Sequence, residues 1–214
     1  MSLVIIDLDG TLLAGPTSSE KLFFRHLLEK GLISGHQMSA YVNFYIRWLK
    51  VYGAVTSKKN KAYLSGLEVA LIEKIAAEFV KSQLIKRCCG EVIRRINRHH
   101  DQGDVTVLVT GSLEMIARAF GAFFEIRHMR ATRCSIKNGV FTQDPPLVHP
   151  FGPEKLEVSR EIGGQLGYDL AEATAYGNDK YDIELLAAVS RPVAVSPDQE
   201  LRRHALDCTW EIIE

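Results

Sequence analysis

The sequence predicts an α/β fold: a doubly wound, Rossmann-like parallel sheet with an all-helical cap inserted after the first strand. Three observations carry that expectation. Short apolar runs recur at Leu3–Ile6, Val105–Val109, Ala171–Tyr176 and Pro192–Val195, and such runs suit strands buried on both faces. Stretches with helical periodicity separate them, and alternating strands and helices build parallel sheets covered on both sides. Between the first two runs, residues 16–89 carry helical patterns only. The expected organisation is therefore a core of residues 1–15 and 90–214 with a helical cap over 16–89.

The first strand ends in Asp7-Leu8-Asp9-Gly10-Thr11. Alternate side chains of an extended chain share a face, so Asp7 and Asp9 reach one spot if the strand continues that far. Gly10 lets the backbone turn and approach a ligand closely. Two like charges in a partly buried site need a compensating cation, and Mg²⁺, with its hard oxygen ligands, supplies one. The pair suggests a metal-assisted nucleophile, Asp7 attacking and Asp9 moving a proton. An acidic turn at a strand end is the plainer alternative.

Ala14-Gly15-Pro16 breaks the chain. Thr17-Ser18-Ser19-Glu20 has capping-box spacing, with Glu20 reaching back toward Thr17. The helix that follows carries Leu22, Phe23, Leu27 and Leu28 inward and stops at Gly31. A second helix covers 37–52 with Tyr41, Phe44, Tyr45, Trp48 and Tyr52 along one side. That stripe is core or lines a substrate pocket. Thr56–Lys61 reads as a loop or short helix, and Leu67–Lys86 as a long one. Gly90 marks the return to alternation.

A helix over Glu91–His100 then leads to the Val105–Val109 strand, a helix over Leu113–Phe120 and a weaker strand over Phe124–Met129. Thr132–Ile136 and Val140–Thr142 form a hairpin, because Asn138-Gly139 suits a primed turn. Pro153–Leu166 is a helix, Ala171–Tyr176 a strand, Asp179–Val189 a helix and Pro192–Val195 a strand. A helix over Gln199–Ala205 and a strand over Trp210–Ile213 finish the chain.

In such a sheet, ligands bind beyond the carboxyl ends of the strands. The second strand runs into Thr110-Gly111-Ser112, whose hydroxyls and free N–H groups hold anion oxygens or merely cap the next helix. Lys155 lies in the first turn after Gly152-Pro153, where the helix dipole disfavours a cation unless an anion sits there. Asn178, Asp179 and Asp182 follow the Ala171–Tyr176 strand. Their oxygens suit a metal, and the two acids equally suit a helix N-terminus.

The D-x-D-G-T run after a hydrophobic strand, followed by these later clusters in this order, resembles the four motifs of the haloacid dehalogenase-like hydrolase superfamily. The helical insertion and the Val-Thr-Gly-Ser and Gly-Pro-Glu-Lys contexts look most like its phosphoserine phosphatase-like branch. The resemblance implies a Mg²⁺-dependent phosphomonoester hydrolase that acts on a small phosphorylated metabolite through an aspartyl-phosphate. It puts Asp7 at the nucleophile, Asp9 at the general acid/base, Thr110 with Gly111 at the phosphate and Lys155 at the charge-neutralising lysine. Asn178 and Asp182 fall at the acidic metal positions, so Asp7, Asp9, Asn178 and Asp182 are the expected metal residues. Asn178 departs from the family's usual Asp, and Asp179 lends charge from next door. That uncharged amide motivates a second reading, a catalytically weak or inactive phosphate-ligand binder of the same fold.

Composition excludes other classes. Of 214 residues, 26 are Lys or Arg and 26 Asp or Glu, so no global field draws the chain to nucleic acid or an anionic membrane. Arg94, Arg95, Arg98, His99 and His100 read as the solvated face of an amphipathic helix. No apolar run reaches the roughly 18 residues of a membrane span, and the N-terminal run is too short for a signal peptide. Cys88, Cys89, Cys134 and Cys208 show no C-x-x-C pairing. Neither a disulfide framework nor a thiolate metal cluster is expected, and a cytoplasmic location is. Arg47, Lys50, Lys58 and Lys59 are the cap's candidates for a substrate carboxylate.

Overall fold

A computed structural model describes residues 1–214. Its strands are β1 (Leu3–Ile6), β2 (Val105–Leu113), β3 (His128–Thr132), β4 (Ile136–Lys137), β5 (Val140–Phe141), β6 (Thr174–Gly177), β7 (Arg191–Val195) and β8 (Glu211–Ile213). Its helices are α1 (Ser19–Glu29), α2 (Gly35–Tyr52), α3 (Thr56–Lys59), α4 (Val69–Phe79), α5 (Gly90–Asp101), α6 (Glu114–Phe123), α7 (Pro153–Gln165), α8 (Ile183–Ala187) and α9 (Gln199–Asp207). Six strands form one parallel sheet in the order β3-β2-β1-β6-β7-β8. Strand order reverses between β1 and β6, and there a doubly wound sheet opens a crevice at its carboxyl edge.

Alternation along β1 divides the core. Val4 and Ile6 face the cluster that holds Phe23, Ile72, Phe79, Ile96 and Phe120 from α1, α4, α5 and α6. Leu3 and Ile5 face the cluster that holds Ile162, Leu185, Leu201 and Ala205 from α7, α8 and α9. Both faces of the strand are thus dry, which explains its unbroken apolar run.

Every element between β1 and β2 is helical. The chain leaves the sheet and returns to it side by side: Ala14 N–H donates to Arg87 O at 3.0 Å and Cys89 N–H to Leu12 O at 2.9 Å. A second link was not legible in the sequence. The β4–β5 hairpin reaches over to residues 66–69, with Gly66 N–H on Phe141 O at 2.9 Å, Phe141 N–H on Leu67 O at 3.1 Å and Val69 N–H on Gly139 O at 2.9 Å. Asn138 and Gly139 both have positive φ, 52° and 77°, as a type I′ turn requires.

Several boundaries move. The strand expected over Phe124–Met129 begins at His128, because Phe124 and Ile126 close the end of α6; Ile126 N–H donates to Gly121 O at 2.9 Å. The long helix expected over Leu67–Lys86 is α4 followed by a π segment at Val80–Leu84 and a 3₁₀ turn at Ile85–Arg87. The strand expected over Ala171–Tyr176 starts only at Thr174, after a 3₁₀ turn at Leu170–Glu172. Leu28, expected inward, is 43% exposed; α1 buries Phe23 and Leu27. On α2 only Phe44 of the aromatic stripe is buried, against Ala40 and Ala62, while Tyr45 faces solvent.

Candidate active site

At the switch point, Asp7 leaves β1 and meets Lys155 from the first turn of α7. Lys155 Nζ donates to Asp7 Oδ1 at 2.6 Å and to Asp182 Oδ1 at 2.5 Å, and all three side chains are buried. The lysine expected to meet an anion in this first turn thus meets two carboxylates. Burial disfavours its charge, but the ion pairs with Asp182 and Asp7 outweigh that and hold its ammonium above the ordinary lysine range. For Asp7 burial wins: it pushes the carboxyl up to about 7, with Lys155 pulling down and Asp182 pushing up. Two carboxylates against one ammonium leave a buried negative charge.

Close backbone approach builds the rest of this corner. Gly10 has φ 86°, and a Cβ there would lie 2.0 Å from Asn178 Nδ2. A Cβ on Gly177 would lie 2.7 Å from that of Asp182. Only glycine at both positions lets Asn178 and Asp182 fold in beside Asp7. Asp182 Oδ2 also accepts from Asn178 N–H at 2.9 Å and Asp179 N–H at 3.2 Å, which fixes the carboxylate. Asp179 caps the turn, its Oδ1 accepting from Tyr181 N–H at 2.8 Å.

Asp9 lines the same cavity and turns its carboxylate elsewhere. Oδ1 accepts from Ser19 N–H at 2.6 Å, at the N-terminus of α1, and Oδ2 from Ser112 Oγ at 2.5 Å. Ser19 and Ser112 share a further hydroxyl contact at 2.7 Å. The four metal residues expected from sequence therefore do not gather as one carboxylate cluster: Asp7, Asn178 and Asp182 converge, and the Asp9 side chain is held by Ser19 of α1 and Ser112 of β2. Thr110 is buried, its Oγ1 accepting from Ser112 N–H at 3.1 Å. Neither hydroxyl caps α6, which follows Leu113.

Asp7, Asp9, Thr110, Gly111, Lys155, Asn178, Asp179 and Asp182 all line one cavity of about 620 Å³. Its opposite wall comes from residues before α5. Glu20 does not reach back to Thr17; Ser18 caps α1 through Lys21 N–H. The Glu20 carboxylate instead takes Lys61 Nζ at 2.5 Å and Tyr63 OH at 2.9 Å, a stronger pairing than a backbone N–H offers. Of the four basic cap candidates only Lys58 lines the cavity. Lys59 pairs with Glu154 at 2.7 Å, Arg47 and Lys50 are solvent-facing, and Lys61 is the buried cation. His149, not singled out from sequence, is buried in the wall as well. A solitary histidine in a loop carries no spacing signal, and Lys61 was hidden in a run of surface-type lysines.

Comparisons with known proteins bear on the family and the fold. Residues 4–187 match the family model of haloacid dehalogenase-like hydrolases. The "Inhibition of morphological differentiation protein" of Streptomyces azureus is 30% identical over 97% of this chain and 76% of its own length. The "Histidinol-phosphatase" of Neisseria meningitidis serogroup C is 24% identical over 99% of this chain and 98% of its own. A solved structure from Bordetella pertussis Tohama I, of a protein of unknown function, superposes with a TM-score of 0.83 at 23% identity over 100% and 98% of the two chains. A substrate-bound phosphoserine phosphatase superposes with a TM-score of 0.63 at 19% identity, over 100% and 92%. The family match spans most of the chain and includes every residue of the strand-end cluster, and the chain belongs to the haloacid dehalogenase-like hydrolases.

Proposed function

We propose that this hydrolase is a Mg²⁺-dependent phosphomonoesterase that acts on a small phosphorylated metabolite through an aspartyl-phosphate. The observation that carries the reading is the buried Lys155 ammonium between Asp7 and Asp182, with the Thr110 hydroxyl in the same cavity. A surplus carboxylate charge beside the Asn178 amide oxygen is a hard donor set, and it fits a divalent cation of the Mg²⁺ type. When bound, the cation neutralises the carboxylates and draws charge from phosphoryl oxygens.

The chain's own groups do the rest. Thr110 donates its free hydroxyl proton to a phosphoryl oxygen, and Lys155 offers an N–H to another; positioning and charge neutralisation carry most of such a reaction. An Asp7 oxygen attacks phosphorus, and the bond to the ester oxygen breaks. Asp9, aimed by Ser19 and Ser112, gives a proton to the leaving alcohol. It then takes one from the water that cleaves the aspartyl-phosphate.

In this reading residues 16–89 are a cap over the catalytic core of 1–15 and 90–214, supported by their helical content and the paired exit and return. The partner is a small phosphate ester and not nucleic acid, because Arg94 and Arg95 are spent on Glu91 and Glu211. No helix is long and apolar enough to cross a membrane, and the four cysteines are unbridged, which fits the cytoplasm.

Asp7→Asn tests the mechanism: hydrolysis of an aryl phosphate in Mg²⁺ should fall about a thousandfold or more, and retained turnover in the pure variant would overturn it. Asn178 supports the alternative, a weak or inactive phosphate-ligand binder. Tight calorimetric binding of phosphate esters without turnover in Mg²⁺ is its signature.

A further inference from the structure

The even balance of 26 cations and 26 acids over the whole chain conceals one segment. No Asp or Glu stands between Glu29 and Glu68, while Lys30, Arg47, Lys50, Lys58, Lys59 and Lys61 all do. Lys59 and Lys61 are matched, by Glu154 and Glu20. Lys58 belongs to the active-site cavity. Lys30, Arg47 and Lys50 are exposed and make no ion pair.

The helix α2 fills much of that segment and turns an oily side outward. Its inner side is fixed by Ala40 and Phe44, buried against Ala62. On the outer side Met38, Val42, Tyr45 and Leu49 are 42%, 51%, 42% and 42% exposed, and Ile46 beside them is 69% exposed. Steps of four, three and four residues put these side chains on one stripe. Ser39, Asn43, Arg47 and Lys50 follow along the adjoining edge, as the helical turn places them. No other α-helix of the chain exposes more than one large hydrophobic side chain. Single exposed apolar residues need no explanation; a contiguous stripe marks an interaction surface.

The charge selects what covers it. A second copy would bring a second acid-free segment and double the unmatched charge. A nucleic acid would match the cations and leave the oily stripe wet. An anionic bilayer satisfies both: a helix lying in the headgroup plane buries its apolar stripe at the acyl boundary and keeps its cations beside lipid phosphates. Tyr45, with the half-buried Trp48 and Tyr52, adds rings suited to that depth. Fluid acyl chains take this mixture of side chains without a groove cut to match it, which favours the bilayer over a folded acidic partner. The helix does not span; none in the chain is long and apolar enough.

We propose that α2 docks the protein on an anionic lipid bilayer, with the stripe from Met38 to Leu49 in the interface and Arg47 and Lys50 at the headgroups. The proposal stands apart from the catalytic reading, because Val42, Ile46, Arg47, Leu49 and Lys50 do not line the active site.

The test is co-sedimentation of the full chain with vesicles of phosphatidylcholine, alone or mixed with phosphatidylglycerol. Partition onto the anionic vesicles should exceed that onto the neutral ones by about tenfold or more, and fall at high salt. Ile46→Ser with Leu49→Ser should lower anionic binding by about tenfold. Arg47→Gln with Lys50→Gln should lower it as well and leave binding to the neutral vesicles unchanged. These side chains are exposed, and an unaltered circular-dichroism melt shows that each variant folds. No binding, equal binding to both vesicle types, or binding that survives the serine substitutions overturns the proposal. Binding of soluble poly-L-glutamate as tight as that of the anionic vesicles assigns the surface to an acidic protein partner and overturns it too.

Discussion

Lys155 is the residue on which the site's electrostatics turn. A single ammonium offsets two buried carboxylates, so its removal leaves both uncompensated at close range. Lys155→Met should destabilise the metal-free protein by about 3–5 kcal/mol, read from urea denaturation in chelator. A loss under 1 kcal/mol would mean that the site rehydrates freely. The residues that meet here were legible because each occupies a strand end or a first helical turn, positions that sequence pattern locates well. Their partners were less so. Asp9's serines lie on two different elements, α1 and β2, and no local spacing announces that meeting. Glu20 shows a local rule overridden: a charged lysine and a phenol, brought near by tertiary structure, outbid a backbone amide.

At the level of elements, the β4–β5 hairpin clasps the helical insert to the core through its turn and through residues 66–69. Gly139 holds a φ of 77°, and a Cβ there meets nothing within 4 Å, so substitution costs backbone conformation alone. Gly139→Ala should lower stability by about 1 kcal/mol. It should also speed amide exchange at Gly66, Val69 and Phe141 ahead of the sheet; uniform exchange across the molecule would show that the clasp is not a separate unit. The turn itself was visible as Asn-Gly between Ile136-Lys137 and Val140-Phe141. Its docking partner was not, because residues 66–68 are a connector leading into α4 at Val69, and their hydrogen bonds depend on where the insert lands. The displaced start of β3 has a similar cause: the apolar residues read as strand are the plug at the end of α6.

For the whole molecule, two buried titratable groups in one cavity bias stability in opposite directions. His149 is neutral in the folded chain down to about pH 3, while the unfolded chain takes a proton near pH 6.5; the unfolded state binds more protons between, and stability falls as pH drops through that window. Asp7 is the reverse. Its folded pKa of about 7 lies above the unfolded 3.8, the folded state binds more protons, and stability falls as pH rises from 3.8 to 7. The two slopes, each at most about 1.4 kcal/mol per pH unit, oppose each other in the shared interval. Relative to wild type in chelator, His149→Asn should therefore tilt the melting temperature downward with rising pH between 4 and 6.5, and Asp7→Asn upward. Parallel curves for the two variants would refute the balance. The overall architecture was readable because strand and helix periodicities differ so sharply. How closely the insert packs on the sheet was not: Phe23, Ile72 and Phe79 share a core with Ile6 and Phe120 across some hundred residues of chain.

The adjacent departure and return at Leu12–Ala14 and Arg87–Cys89 make the helical excursion resemble a bead on a closed stalk. What lies beyond the stalk can lengthen or shorten with no change to the spacing of the two ends, so long as it still brings the Ser19 N–H to Asp9. Any replacement still has to offer α6 an oily surface to lean on. Within that constraint, one storey of the molecule can be renovated while the foundations stay as they are.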